Sequence, residues 1–509
     1  MRAFHVTLFD MLRRISTLAL GLLTAATAVV AVPGGIAHAG ATAVQPTPAR
    51  SITLPAPTTT SDASQRSVAT SSFAFGVRDR LLTTGKLVWL PSVGVPFDSA
   101  YQYASGTGPG TKNDAHPSTM LAFAQKSQLL KVLPVISYFR MNGNYWGGAS
   151  TPAACTATCT QGDTAKRNLD HLNDPSFMQQ YFSGLVDLYR LMDAKYSGQF
   201  LLHVEPDLSG YAQQLSIDRA RCAEDCFNGM AADNPAGVRA AVASSGITQL
   251  KDFPNSLQGF YSAVLYLRDK YAPRVSLAYH VSNWATASTN RVDDKNETAN
   301  SMTLGTVPVD AAALGARVAR FAALNGATTQ DVPRPGPATS HYDVIFNDIL
   351  DNDAGYFATV LNHPEYWWDT QNIDLPNFAR WETYLGAITS ATGLPATVWQ
   401  VPLGNTVSKV EDNTRGHYQD NKLQYFFDHL PELKAIGVNS IIFGSSEKST
   451  WAADNQVDLT DNTQVVCTTL GNHDHALICP TEDATVTDDD GGYLRQRATA
   501  YYANPLPLS

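Results

Sequence analysis

The segment 200–211, Phe-Leu-Leu-His-Val-Glu-Pro-Asp-Leu-Ser-Gly-Tyr, delivers His203, Glu205 and Asp207 just where a short apolar run stops. An apolar run of that length, ended by proline, suits a buried β-strand. In extended backbone, residues two apart share a side, so Glu205 and Asp207 are expected to point together. Two carboxyls at one site can divide an acid–base cleavage between them. One, protonated, gives its proton to a leaving oxygen, while the other, ionised, attacks or activates water. Glu205 is the first candidate for such a role; its alternative is a buried carboxylate that orients His203 or Arg140. For Asp207, a turn or helix cap competes with ligand contact. A second acidic cluster, Asn347-Asp348-Ile-Leu-Asp351-Asn-Asp353, leaves another apolar run, and Asp348 is the expected partner of Glu205.

Polar groups recur where apolar runs end. Tyr138, Phe139 and Arg140 close one; Tyr279, His280, Ser282, Asn283 and Trp284 close another. Trp399, Gln400 and Asn405 end a third, and Glu447 follows a fourth. The runs lie at 73–77, 132–138, 200–204, 275–281, 342–346, 397–401 and 440–443, with a further candidate at 86–90. Between them, 176–195, 255–271 and 421–433 place apolar residues near helical spacing. This alternation predicts a parallel sheet, and seven or eight repeats favour an α/β fold closed into a (β/α)8 TIM-like barrel, regular or distorted to seven strands. A doubly wound open sheet is the alternative, but no Gly-rich phosphate loop follows the first run. In a barrel these ends meet on one face. The expected site therefore sets Glu205 and Asp348 as catalytic carboxyls among His203, Asp207, Tyr138, Arg140, His280, Asn283, Trp284, Gln400, Asn405, His417 and Glu447 as substrate-binding groups. His417 belongs to a polar patch, His-Tyr-Gln-Asp-Asn, that reads equally as a loop over the site or as the capping region of the next helix.

The 509 residues carry a net charge of −10, and only 16% are charged. No basic stripe is visible, which argues against nucleic acid as a partner. The 21 tyrosines and 8 tryptophans suit neutral sugars, because ring faces cover the apolar faces of a pyranose. Arg2, Arg13 and Arg14, the apolar stretch 15–32 and Ala37-His38-Ala39 read as an export signal over 1–39. An Ala/Thr/Pro/Ser-rich linker over 40–72 and a single catalytic body over 73–509 follow. The expected product is a secreted, extracellular monomer with no integral membrane segment once the signal is cleaved. Six cysteines fall in local pairs, Cys155 with Cys159, Cys222 with Cys226 and Cys467 with Cys479, read as three disulfides stapling long loops. His473 and His475 between the last two leave zinc as an alternative there, as Asp351 and Asp353 leave calcium. The expectation is neither metal nor cofactor. Serine-nucleophile elbows, zincin motifs and Walker loops are absent from the sequence.

Four motifs carry a family resemblance: His203-Val-Glu205-Pro-Asp207-Leu-Ser-Gly-Tyr211, Trp399-Gln-Val-Pro-Leu-Gly-Asn405, His417-Tyr-Gln-Asp-Asn421 and Asp488-Asp-Asp-Gly-Gly-Tyr-Leu-Arg495. With Asp98-x-x-Tyr101-x-Tyr103 and Phe346-Asn-Asp348, they look like a group of secreted bacterial proteins that resembles (β/α)-barrel glycoside hydrolases. The likeness spans about 73–508 and implies the barrel fold and a polysaccharide or oligosaccharide substrate. Glu205-Pro-Asp207 also echoes a strand end of the family 6 cellulases, whose barrel is distorted. Their Asp-Cys-Ala-Ala signature is not found here, so no catalytic residue is carried over from them. A non-catalytic carbohydrate-binding barrel and a metal-dependent extracellular hydrolase remain the competing functions.

Overall fold

In the computed structural model the described residues run from 48 to 508, except 58–69, 82–84, 88, 107–114, 143–163, 218–232, 287–309, 338–339, 350–351, 363, 409–410, 412, 414–416, 445–467, 470–476 and 479–491. The expected export signal, Asp351, Glu447, His473, His475 and the acidic run 488–490 lie outside them. So do all three expected disulfides, since Cys155, Cys159, Cys222, Cys226, Cys467 and Cys479 each fall in an excepted stretch.

Eight parallel strands close a barrel in chain order. They are β1 (Ala74–Arg78), β2 (Ser99–Ala104), β3 (Leu133–Tyr138), β4 (Leu201–Val204), β5 (Ser276–Ser282), β6 (Val344–Asp348), β7 (Ala396–Val401) and β8 (Val438–Phe443). Helices intervene, among them Pro117–Leu129, Pro175–Lys195, Leu257–Tyr271, Ala311–Leu324 and Phe378–Thr392, giving the (β/α)8 architecture. None of the described helices is long and apolar enough to cross a membrane.

Period-two alternation builds two cores. Tyr101, Val135, Leu201, Ala278, Val344, Phe346, Trp399 and Ile442 fill the barrel. Their strand neighbours Ile136, Leu202, Val204, Tyr279 and Ile345 join the larger core beneath the helices. Helix starts follow capping chemistry: Asp174 Oδ1 accepts from the amides of Ser176 and Phe177 at 2.7 and 3.0 Å, ahead of Pro175–Lys195. The stretch 421–433 divides into Lys422–Asp428 and Leu430–Ala435. Pro431 is the cause, since its ring crowds the carbonyl of Phe427 and it has no amide to donate.

One strand expectation is corrected. Leu87 makes only an isolated bridge to Leu81, and Leu90 opens a short helix, so 86–90 is not a barrel strand. The missing wall is β2, whose sequence Ser-Ala-Tyr-Gln-Tyr-Ala carries little apolar signal. Small Ala100 and Ala104 face the helix side while Tyr101 fills the interior.

The barrel seam is stitched by the far end of the chain. β1 pairs with β8, the Phe73 amide donates to Leu506 O at 2.8 Å, and the Leu508 amide to Ser71 O at 3.0 Å. From the helix Gly492–Tyr502, the Tyr501 hydroxyl donates to Phe73 O at 2.6 Å and the Tyr502 hydroxyl to Asp98 Oδ2 at 2.6 Å. The middle of the stretch read as linker also lies against the body: Ile52 bridges Ile247 and Leu54 is buried.

Several polar motifs knit one scaffold behind the rim. Asp353 Oδ1 accepts from the Gly404 amide at 3.0 Å, and Asp420 Oδ2 from the Ala354 amide at 2.7 Å. Asp420 also pairs with Lys422 at 2.9 Å, both side chains being fully buried. A Cβ on Gly404 would meet Asp353 Oδ1 at 2.5 Å and run into the carbonyl of Tyr418. Gly404→Ala is therefore expected to cost roughly 1–3 kcal/mol of stability by overpacking, read as a lower urea midpoint at unchanged slope.

Candidate active site

Inward-facing positions at the C-terminal rim of β3 to β6 bring Ser137, His203, His280 and Asp348 together. His203 follows Leu201 by two on β4, and His280 follows Ala278 by two on β5, so both histidines continue the interior face. Phe346 and Asp348 do the same on β6. The His203 Nε2 and His280 Nδ1 atoms are hydrogen-bonded at 3.0 Å, and His203 Nδ1 meets Ser137 Oγ at 3.2 Å. On its other side His280 Nε2 lies 3.1 Å from Ser282 Oγ, 3.3 Å from Asp348 Oδ1 and 3.8 Å from Asp207 Oδ1. Both rings are fully buried, whereas the Asp348 and Asp207 side chains stay 17% and 29% exposed and so reachable by a ligand. Trp399 packs edge-on against the histidines at 4.7 and 5.7 Å, and Phe346 lies 4.5 Å from His203.

Burial, reinforced by the neighbouring His280, holds His203 well below the ordinary histidine pKa and keeps it neutral. The Ser137–His203–His280 chain can be protonated in either sense with every ring nitrogen satisfied. In one sense His280 carries its proton on Nε2, toward Ser282 and the carboxylates; in the other it carries the proton on Nδ1 and offers an Nε2 lone pair. Asp207, His280 and Asp348 are also the described residues that could hold a metal ion, their three donor atoms lying within 4.8 Å of one another.

The two carboxylates of β4 part company. Glu205 and Asp207 have φ of 44° and 72°, left-handed values that break the parity of an extended chain. Asp207 turns toward His280, but Glu205 turns to the helix side and is fully buried. Its Oε1 accepts from the Arg140 amide at 2.9 Å and its Oε2 from the Met141 amide at 3.0 Å. The phenol of Tyr181 faces it from the helix Pro175–Lys195. Burial pushes its pKa from 4.5 up to about 8, outweighing the two amides that pull it down. The expectation that Glu205 and Asp207 share a side is thus corrected. Gln400, also left-handed at φ 57°, donates from Nε2 to the Tyr103 hydroxyl at 2.5 Å on the rim. Non-glycine residues in this region cost on the order of 1–3 kcal/mol each, and such strain collects at functional sites.

Other sequence candidates have structural contacts. Tyr138 faces outward, packed on Tyr181 at 5.5 Å. The Arg140 guanidinium donates to the carbonyls of Ser105 and Gly106 at 3.0 and 2.5 Å. Asn283 Oδ1 accepts from Asn347 Nδ2 at 3.0 Å, and buried Trp284 packs on Tyr211 at 4.7 Å. Asn405 Oδ1 turns its own loop by accepting from the Val407 and Ser408 amides at 2.9 and 2.7 Å. His417 is buried beside the Asp353–Asp420 scaffold, its carbonyl accepting from the Asn413 amide at 2.8 Å. Asp353, a calcium candidate, spends Oδ1 on Gly404.

No family model matches the chain, and no curated protein matches it. Among solved structures it is similar to an endo-β-1,4-mannanase from Thermotoga petrophila, at 10% identity over 85% of this chain and 77% of that one, with a TM-score of 0.39. It is also similar to the AHE enzyme from Alicyclobacillus herbarius, at 8% identity over 86% and 98% of the two chains and a TM-score of 0.36. A structure of fungal β-1,4-galactanases matches at 8% identity over 84% and 99%, with a TM-score of 0.34. At such scores a likeness carries no argument about the reaction.

Ser137 and Tyr103 join the site beyond the candidates expected from the sequence. Strand parity was the available signal for Ser137, since it follows the inward Val135 by two. Tyr103 stood in a motif already noted, but β2 was not recognised as the strand that carries it.

Proposed function

We propose that the chain is a secreted glycoside hydrolase that cleaves a polysaccharide with Asp348 and Asp207 as its carboxyl pair. One observation carries this reading: both carboxylates converge on His280 Nε2 at the barrel rim, with one oxygen of each within 4.8 Å of the other. Asp348 keeps the catalytic role expected of it, and Asp207 takes the place first given to Glu205, whose oxygens are held by backbone amides. In the reaction His280 holds a proton at Nε2 between the carboxylates, while His203 and Ser137 fix its ring. Half-buried Tyr103 and Phe139, with rings 6.2 Å apart, offer an aromatic edge to a sugar at the same rim.

Carboxyl pairs about 5–5.5 Å apart mark retaining hydrolases, and pairs about 6.5–9.5 Å apart inverting ones. An approach of 4.8 Å or less between one oxygen of each carboxylate favours the retaining outcome, checked by proton NMR of the first-formed product. The test of the function is reducing-sugar release from a broad polysaccharide panel by the purified mature protein, freed of metal by chelator. Cleavage of one class supports the reading. Saturable binding without cleavage across the panel overturns it in favour of a carbohydrate-binding barrel.

A further inference from the structure

We propose that Asp207, His280 and Asp348 form a divalent-cation site of the manganese or zinc class. The three donors are two carboxylate oxygens and one imidazole nitrogen, a set that suits first-row divalent ions. With sides of 3.3 and 3.8 Å and a third no longer than 4.8 Å, a point equidistant from the three atoms lies no more than about 2.4 Å from each, within reach of metal–ligand bond lengths. A shift of a few tenths of an ångström would complete the bonds.

Two further observations point the same way. Asp348 Oδ1 is buried and has no hydrogen-bond partner, although it faces His280. The relay behind His280 also supplies what a ligating histidine needs. To offer its Nε2 lone pair, His280 must carry its proton on Nδ1, and His203 Nε2 stands 3.0 Å away to accept it. His203 then donates from Nδ1 to Ser137 Oγ at 3.2 Å, so the whole chain stays satisfied. The partial exposure of Asp207 and Asp348 leaves a side open for water ligands. Of the metal candidates named from the sequence, Asp353 is committed to the Gly404 amide, and Asp351, His473 and His475 lie outside the described residues.

The site goes beyond the hydrolase reading and does not depend on it. An ion here engages the lone pairs that a two-carboxylate cleavage uses, so the ion-free protein is the active form. The test is titration of the chelator-treated full chain with Mn²⁺, following the free ion by electron paramagnetic resonance, with no substrate present. The wild type is expected to bind one ion that Asp348→Asn and Asp207→Asn each weaken more than about 100-fold. His203→Phe keeps every ligand but removes the acceptor and is expected to weaken binding about 10–100-fold. Asp348→Asn is isosteric at a half-buried position, and its thermal melt confirms folding. No Mn²⁺ binding by the wild type, or binding that both Asn variants retain, overturns the site. A protein that binds the ion yet cuts no polysaccharide sinks the hydrolase reading and leaves the cation site standing. Where a polysaccharide is cut, Mn²⁺ must inhibit at the concentration that fills the site, and activation overturns the claim that the ion-free form is active.

Discussion

Asp348→Asn is expected to lower kcat by roughly 10³-fold, within the 10²–10⁴ range for a proton-transferring or attacking carboxyl. Its melting temperature should hold or rise. The reason lies in its surroundings: Asp348 Oδ1 makes no hydrogen bond, and a second carboxylate stands across His280. An isosteric amide there breaks no hydrogen bond at Oδ1 and leaves no buried donor stranded. A residue that costs stability and supplies turnover is the usual mark of a working site. Kinetics and melts on the same preparation check both halves. Full activity in the variant, or a collapse in stability, contradicts the assignment.

Glu205→Gln is expected to do the reverse, harming stability through the fold rather than the chemistry. Both carboxyl oxygens accept backbone amides, so an amide NH2 in place of one oxygen sets donor against donor. An unsatisfied buried donor costs about 1–3 kcal/mol. The cost should depend on pH. Glu205 has its folded pKa raised from 4.5 to about 8, so the folded state keeps a proton that the unfolded chain has released. Its contribution is fully present below about pH 4.5, and it fades as pH rises through 8. At one proton the slope is about 1.4 kcal/mol per pH unit, or on the order of 5 kcal/mol over the window. The variant lacks this titration, so the wild-type advantage measured by urea denaturation should shrink from pH 5 to pH 9 and can reverse. A constant difference across that range contradicts the raised pKa.

Seven of the eight strands were legible because buried parallel strands write themselves as short apolar runs. β2 was not, since tyrosines and alanines divide its two faces without an aliphatic residue. At the site, His203, His280 and Asp348 were readable from position alone. Glu205 was misplaced by a rule that holds only in extended backbone. Its left-handed φ turns the first carboxylate out and the second in, and nothing in Val-Glu-Pro-Asp announces that reversal. The motifs around Asn405, Asp420 and Asp353 looked chemical because they are dense in polar groups. They are dense because an irregular rim has no ladder to satisfy its amides, and side chains must do so.

The seam between β1 and β8 bears on how this chain is made. β1 leaves the ribosome first among the barrel strands, whereas β8 and the Gly492–Tyr502 cover come last. Until then β1 carries an open edge, which is a template for pairing with other chains. Vectorial synthesis therefore cannot finish this barrel domain piece by piece. Closure waits for β8 at Val438–Phe443, and the contacts that brace the seam follow only with residues 501–508.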